Sequence, residues 1–403
     1  MTQESTPLSL RKETVPIHAY GLEGIESGAR LQMDTAARLP VAVAGALMPD
    51  AHQGYGLPIG GVLATRNAVV PYGVGVDIGC RMSCSVFDIP LEHFLANPAK
   101  YKRELIAQTK FGAGAGFTGK EQADHEVLTN PAFEEIPLLT NLKDKAAHQL
   151  GSSGGGNHFV EFGFLEISKK DSQLNLDPGT YLALLTHSGS RGFGATIAGF
   201  YTKLAKSLCV LPEEAANLAY LDLNSEAGQE YWIAMNLAGD YAAACHAIIH
   251  KKMAAAIGAQ VIANIENHHN FAWKESVNGE ELIVHRKGAT PAGIGVLGII
   301  PGSMTAPGFV VKGKGIADSL NSASHGAGRK MSRTKANKAF TAQGLKNELK
   351  AAGVQLIGGG LDEAPGAYKD IHQVMTAQEE LVEIIASFHP KMVRMADDGS
   401  RED

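Results

Sequence analysis

N-S-A-S-H-G-A-G-R-K-M-S-R, residues 321–333, sets one histidine among small residues and cations. His325 has hydroxyls before it (Ser322, Ser324), glycines after it (Gly326, Gly328), and then Arg329, Lys330 and Arg333. Glycine lets a backbone approach a phosphate closely, successive N–H groups form an anion-binding nest, and cationic side chains neutralise phosphoryl oxygens. The stretch therefore reads as a phosphate pocket with a candidate nucleophile in it. Taken alone, it reads more simply as a polar turn capping a helix that begins near Lys335, so the decision rests on the rest of the chain.

Working outward, the 403 residues carry 44% hydrophobic and 19% charged side chains with no long polar tract, which describes one soluble mixed α and β domain spanning 1–403. The first residues are polar and charged, with no apolar segment long enough for a signal peptide or membrane span, so a cytoplasmic location is expected and no membrane partner. Four cysteines (Cys80, Cys84, Cys209, Cys245) are too few for a disulfide framework in a chain this long. Any that matter should act as thiolates. A formal charge of −6 argues against a wholesale nucleic-acid clamp while leaving room for local basic patches.

Glycine is unusually frequent, 46 residues or about 11%, against roughly 7% on average. It gathers at residues 54–61, 73–79, 112–119, 151–156, 288–302 and 358–360. Between these clusters, apolar periodicity predicts helices over 27–39, 91–108, 141–150 and 370–387, and strands over 40–48, 62–72 (ending at Pro71), 81–89, 158–167, 181–186 and 309–312. Ile197, Phe200, Tyr201, Leu204 and Leu208 repeat at helical spacing, as do Ala238, Tyr241, Ala242, Cys245, Ile248 and Ile249, and both stripes are expected in the core. Asn278-Gly279 reads as a hairpin turn.

The possible chemistry falls in the glycine-rich loops. Asp77 and Cys80 lie three apart in V-G-V-D-I-G-C-R-M, and three glycines precede Asn157 and His158 in G-S-S-G-G-G-N-H-F-V-E, which suits a phosphate against bare backbone. T-H-S-G-S-R-G puts His187 at a strand end and Arg191 at a helix start, where an N-terminus attracts anions, and E-N-H-H-N-F adds His268 and His269. Any one of these is more simply a turn or a packed histidine. Together, Asp77, Cys80, His158, His187 and His269 make a metal-site composition, and donor softness alone permits either zinc or manganese.

These loops, with M-P-D-A-H-Q-G-Y-G, R-K-G-A, I-P-G-S-M, S-H-G-A-G-R-K-M-S-R and D-E-A-P-G-A-Y-K-D, resemble the motifs of the RtcB family of RNA-splicing ligases, in that family's order, from about Leu47 to Asp370. The resemblance implies an α+β fold, mixed sheets packed together and ringed by helices around a central metal cleft. It implies a GTP-dependent enzyme with two Mn²⁺ ions that joins an RNA 3′-phosphate or 2′,3′-cyclic phosphate end to a 5′-hydroxyl end. It admits an archease-type activator as a further partner. His325 would be guanylylated, and Asp77, Cys80, His158, His187 and His269 would bind the metals, with the thiolate shared. Asn157, His158, Phe159, Val160, Glu161, His269, Asn270, Pro301, Gly302, Ser303, Met304, Gly308, Gly326, Ala327, Gly328 and Tyr368 would surround the nucleotide. Glu161 would read guanine, because a carboxylate accepts from the base's adjacent N–H donors.

The residue types suit that chemistry, since neutral imidazole, pKa near ~6.5, can attack an α-phosphorus once metals withdraw charge. One departure stands at the C-terminus. Family chains finish on a Lys-Gly whose lysine approaches the nucleotide, whereas here that register falls near Met395-Ala396, with Lys391 or Arg394 as candidate stand-ins. A metal-dependent phosphatase or cyclic phosphodiesterase acting on RNA ends would use the same metals. A non-catalytic RNA-binding scaffold would have no need of intact ligands.

Overall fold

The computed structural model describes residues 8–397, and the register of an antiparallel sheet is what gathers the loops. Among the described residues this sheet runs Leu297–Ile300, Gly308–Gly313, Val382–Met395, Phe159–Ile167, Gly179–Ser188, Arg81–Phe87, Val261–His268, with Gln355–Ile357 in parallel beside Val382–Met395. Antiparallel neighbours place the starts of Phe159–Ile167 and Arg81–Phe87 at the same edge as the ends of Gly179–Ser188 and Val261–His268. The pairings of Phe159 and Met82 with His187, and of Arg81 with His268, fix that edge. The glycine-rich loops therefore meet there.

A second sheet is ordered Ile17–Ala19, Ala42–His52, Ile59–Thr65, Glu280–Lys287, Phe271–Val277. The chain passes from the first sheet to the second through His269 and Asn270, and Asn270 takes the left-handed conformation (φ 57°) that asparagine tolerates. Asn278 and Gly279 (φ 52° and 84°) form the expected hairpin turn between Phe271–Val277 and Glu280–Lys287. Next, the short ladder of Ala289–Pro291 with Ser322–Ser324 suspends the His325 loop opposite the sheet edge.

The helix Glu226–Ile257 backs this arrangement. Ser225 starts it, its hydroxyl accepting from the Gly228 N–H at 3.1 Å, and Gly258 ends it with φ 75°. Tyr231 and Tyr241 pack with Phe193, Ile197 and Tyr201 of the helix Arg191–Leu208, while Ile249 and Met253 pack on Phe162, Leu182 and Leu184 of the sheet. Burial stabilises each such aromatic by about 1.5–3 kcal/mol. Gly79 rests on the same helix. A side chain there would meet Gly239 Cα at 2.8 Å, and its φ of 67° also favours glycine, so the helix sets the depth of the Asp77–Cys80 loop.

Four expectations need correction. Residues 370–387 are not one helix: Asp370 caps the short helix Ile371–Thr376 through the His372 N–H, and Val382–Met395 is a strand. Alternating burial of Ala386, Phe388 and Pro390 decides that segment, and Pro390 is tolerated in it because the register shifts there. The helix over 91–108 divides into Leu91–Ala96 and Pro98–Gln108, since Pro98 lacks the N–H to continue the first and suits the start of the second. For the same reason Pro71 opens the short helix Pro71–Val74 rather than ending a strand. Finally, Phe200 and Leu208 are exposed on their helix and lie outside the core. No described helix is long and apolar enough to cross a membrane.

Candidate active site

Five side chains of metal-ligating type converge at the sheet edge. Cys80 Sγ lies 3.2 Å from His187 Nε2 and 3.7 Å from His158 Nε2. His158 Nε2 is 3.0 Å from Asp77 Oδ2, and His187 Nε2 is 3.2 Å from His269 Nε2. Two triads result, Asp77–Cys80–His158 and Cys80–His187–His269, all buried and sharing the sulfur, with the ligand atoms of each within 4.8 Å of one another.

The outer hydrogen bonds orient the rings. His158 Nδ1 donates to the Ser153 carbonyl at 2.8 Å and His187 Nδ1 to the Asn157 carbonyl at 3.3 Å, which leaves both Nε2 lone pairs facing inward in the neutral rings. Burial pulls His187 down to about 3, and burial with His325 and His187 nearby pulls His269 well below the usual imidazole value. Burial alone would raise Asp77, but its carboxylate is held low by a protonated His158, whose Nε2–H would donate to it, and by the Arg191 guanidinium; cations among the ligand atoms would take the place of that Nε2 proton. Lone pairs and an ionised carboxylate thus face one another in a dry site. Such a cluster repels itself unless cations lie among its members, and sulfur, imidazole and carboxylate together suit borderline transition-metal ions. The residues fit metal binding, in two triads that have Cys80 in common.

Arg191 does not present itself to an anion at its helix start. It is fully buried with φ 55°, folded beneath the glycine loop beside His158, and a side chain at Gly154 would overlap its guanidinium. That glycine makes room for an arginine rather than for a phosphate. His269 turns into the cluster, while His268 packs against Phe271 and Trp273.

His325 stands beside the second triad, its ring centroid 4.9 Å from that of His269. Asp50 Oδ2 accepts from the His325 backbone N–H at 3.2 Å and lies 2.6 Å from Nδ1. A carboxylate can only accept, so Nδ1 carries a proton and Nε2 is the nitrogen that holds the lone pair in the neutral tautomer. Asp50 is fully buried, and its Oδ1 has no hydrogen-bond partner among the described residues. This is the geometry of an oriented nucleophile.

A cleft of about 620 Å³ opens in front of His325, a size suited to a nucleotide. Asn157, Phe159 and Glu161 border it from one strand, Asn270 from the crossing point, and Pro301, Gly302, Ser303, Met304 and Gly308 from another wall. Gly326, Ala327, Gly328 and Tyr368 close the remaining side. Val160 points its side chain the other way, into the core with Phe94 and Phe162, and His158 lies fully buried behind the wall. Arg329 and Arg333 reach the cleft already engaged: Arg329 donates to the Asp362 carbonyl at 2.7 Å, and Arg333 pairs with Asp362 at 2.7 Å and with Glu363. Lys330 is exposed outside it.

The family model for the tRNA-splicing ligase RtcB matches residues 32–137 and 135–396. The chain belongs to the RtcB family. It is 33% identical to the RNA-splicing ligase RtcB of Escherichia coli (strain K12), with 96% of each chain covered. It is 29% identical to the tRNA-splicing ligase RtcB of Nanoarchaeum equitans over 95% of each, and 28% identical to that of Thermococcus kodakarensis over 85% and 86%.

Neither Lys391 nor Arg394, the candidate stand-ins for a terminal lysine, reaches the cleft. Lys391 lies over the Phe164 ring, and Arg394 donates to the carbonyls of Leu105 and Thr109, both on the face of the strand away from the pocket. Met395 and Val393 face the pocket instead. Sequence reasoning passed over two residues. Asp50 lies inside M-P-D-A-H-Q-G-Y-G, but only tertiary structure brings it to His325. Lys287, within R-K-G-A, is buried at the cleft wall, which lowers its ammonium to about 7.

Proposed function

We propose that this chain is an RNA ligase that joins 3′-phosphate or 2′,3′-cyclic phosphate ends to 5′-hydroxyl ends through a guanylylated His325, using GTP and two Mn²⁺ ions. The observation that carries this reading is the Asp50 contact at His325 Nδ1, which leaves Nε2 as the available nitrogen beside the two sulfur-sharing triads. Asp77, Cys80 and His158 would hold one ion, and Cys80, His187 and His269 the other. Bound there, the ions would draw charge from phosphoryl oxygens and steady the departing pyrophosphate.

The chain's own residues do the rest. His325 Nε2 attacks the α-phosphorus of GTP, the P–N bond forms and pyrophosphate leaves. The ring becomes cationic, and Asp50 at Nδ1 compensates that charge where it arises. A 2′,3′-cyclic end is first opened by water, which adds at phosphorus as the 2′-oxygen leaves as a hydroxyl; the RNA 3′-phosphate then takes GMP from the imidazole, and the 5′-hydroxyl attacks the activated phosphate and expels GMP. Backbone N–H groups of the Gly326–Gly328 turn suit the nucleotide phosphates. Glu161 stands at the base end with its acid pushed well up by burial, so its capacity to read guanine depends on whether it is ionised.

The test supplies GTP, Mn²⁺ and an RNA pair with 3′-phosphate and 5′-hydroxyl ends to wild type and His325→Ala. Joined RNA and a protein–GMP adduct are expected from wild type alone. Dephosphorylated or ring-opened RNA ends without any labelled protein would contradict the ligase and support a metal-dependent phosphatase or cyclic phosphodiesterase.

A further inference from the structure

Tyr55 is 68% exposed although it borders the cleft, and it belongs to none of the apolar clusters that hold the fold together. Its ring stacks on that of Tyr72, with centroids 6.2 Å apart and planes 25° from parallel. A large aromatic at the rim of a cleft presents a free π-face to whatever enters it. The pair is also held firmly. The buried Lys287 donates to the carbonyl of Tyr55 at 2.5 Å and to that of Tyr72 at 3.2 Å, and its ammonium lies 4.9 Å from the Tyr72 ring centroid. Lys287 spends its hydrogen bonds on fixing the two tyrosine-bearing segments rather than on solvent.

The same lysine ties the pair to the reactive histidine. Its neighbour Gly288 comes so close to His325 that a side chain there would meet Cε1 at 3.2 Å. Lys287 thus holds both tyrosine-bearing segments and adjoins the glycine that packs against the imidazole, with both tyrosines and His325 lining one cleft. Val76, 42% exposed next to Asp77, continues the apolar rim.

We infer that Tyr55, supported by Tyr72 and Lys287, is a stacking platform for the nucleobase at an RNA end being joined. This rests on the ligase reading above. An unpaired terminal base has a free π-face, and aromatic side chains take such faces without regard to sequence, which suits an enzyme that must hold ends of varied sequence. The guanine of GTP is not the intended occupant, because the function proposed above gives it to Glu161, which lines the cleft with Phe159 and Met304.

The experiment measures ligation against RNA concentration, adduct formation against GTP concentration, and RNA binding by fluorescence anisotropy, for wild type, Tyr55→Ala, Tyr55→Phe and Tyr72→Ala. Tyr55→Ala should raise the RNA KM roughly ten- to a hundredfold while leaving the GTP requirement for adduct formation unchanged. Tyr55→Phe should behave as wild type, and Tyr72→Ala should fall between. With an RNA whose terminal nucleotide at the 3′-phosphate or the 5′-hydroxyl end is abasic, one of the two should abolish the difference between wild type and Tyr55→Ala. An unchanged RNA KM, an equal penalty with both abasic RNAs, or a raised GTP requirement alone would overturn the platform. Absence of any wild-type adduct would instead overturn the ligase reading, and anisotropy would still show whether Tyr55 holds RNA.

Discussion

At His325 the decisive quantity is which ring nitrogen carries the proton. Asp50 fixes it on Nδ1, from 275 positions away in the chain, so nothing local in H-G-A-G marks the partner. Asp50→Asn keeps the shape but can present an N–H to Nδ1, which moves the ring proton to the attacking nitrogen. Adduct formation should drop about 10²–10⁴-fold with little change in thermal stability, measured by labelled GTP and by melting. An Asn variant that labels at the wild-type rate would show that Asp50 does not orient the ring. Cys80 was legible because its type and glycine-rich setting both point to a ligand, and it is the shared member of both triads. Cys80→Ser should therefore diminish the rise in melting temperature that Mn²⁺ gives wild type, and EDTA should reverse that rise. Equal Mn²⁺ stabilisation of both proteins would place the metal elsewhere.

The late strand shows what element-scale reading can and cannot see. Val382–Met395 contains Val-Glu-Ile-Ile, whose apolar residues also fall on a helical face when joined to Ile371, Val374 and Met375, so period alone chose wrongly. Tertiary pairing with Phe159–Ile167 and Gly308–Gly313 settles it as a central strand. That register has a functional consequence. Val393 pairs with Glu161 and Met395 with Phe159, so Met395 lies diagonally across from the buried carboxyl. Met395→Lys should give Glu161 a cation, favour its ionised form and lower the GTP requirement for adduct formation roughly ten- to a hundredfold, the worth of one charge-assisted hydrogen bond. Lys391→Ala and Arg394→Ala, on the other face, should leave that requirement unchanged. If Met395→Lys has no effect, the tail does not contact the nucleotide. The hairpin at Asn278-Gly279 and the helix Ser27–Ala37 were readable because turn chemistry and an uninterrupted amphipathic period are local signals.

Across the whole molecule, the loops that carry the metal donors could be picked out from glycine and residue type. Their convergence could not, because it follows from strands 81–395 interleaving in one antiparallel sheet. The second sheet adds a buried histidine with a pH consequence. His285 donates through Nδ1 to the Leu63 carbonyl at 3.1 Å and accepts the Val70 N–H on Nε2 at 2.9 Å, so protonation would break the second bond. Burial lowers it to about 4, against 6.5 in the unfolded chain. Its contribution is complete above about pH 6.5 and is lost as the pH falls toward 4, on the order of 3 kcal/mol. The metal-free protein should melt progressively lower across that window, and His285→Gln, though less stable overall, should show a shallower slope. Parallel slopes would exclude His285 as a source of the acid lability.

The central claim is that His325 receives GMP. Its most direct test is to incubate the protein with GTP and Mn²⁺, digest it under conditions that preserve a P–N bond, and locate the added mass. The account predicts one GMP, on the peptide containing His325, released by acid and absent from His325→Ala. GMP on another residue, or an undiminished adduct in His325→Ala, would contradict it.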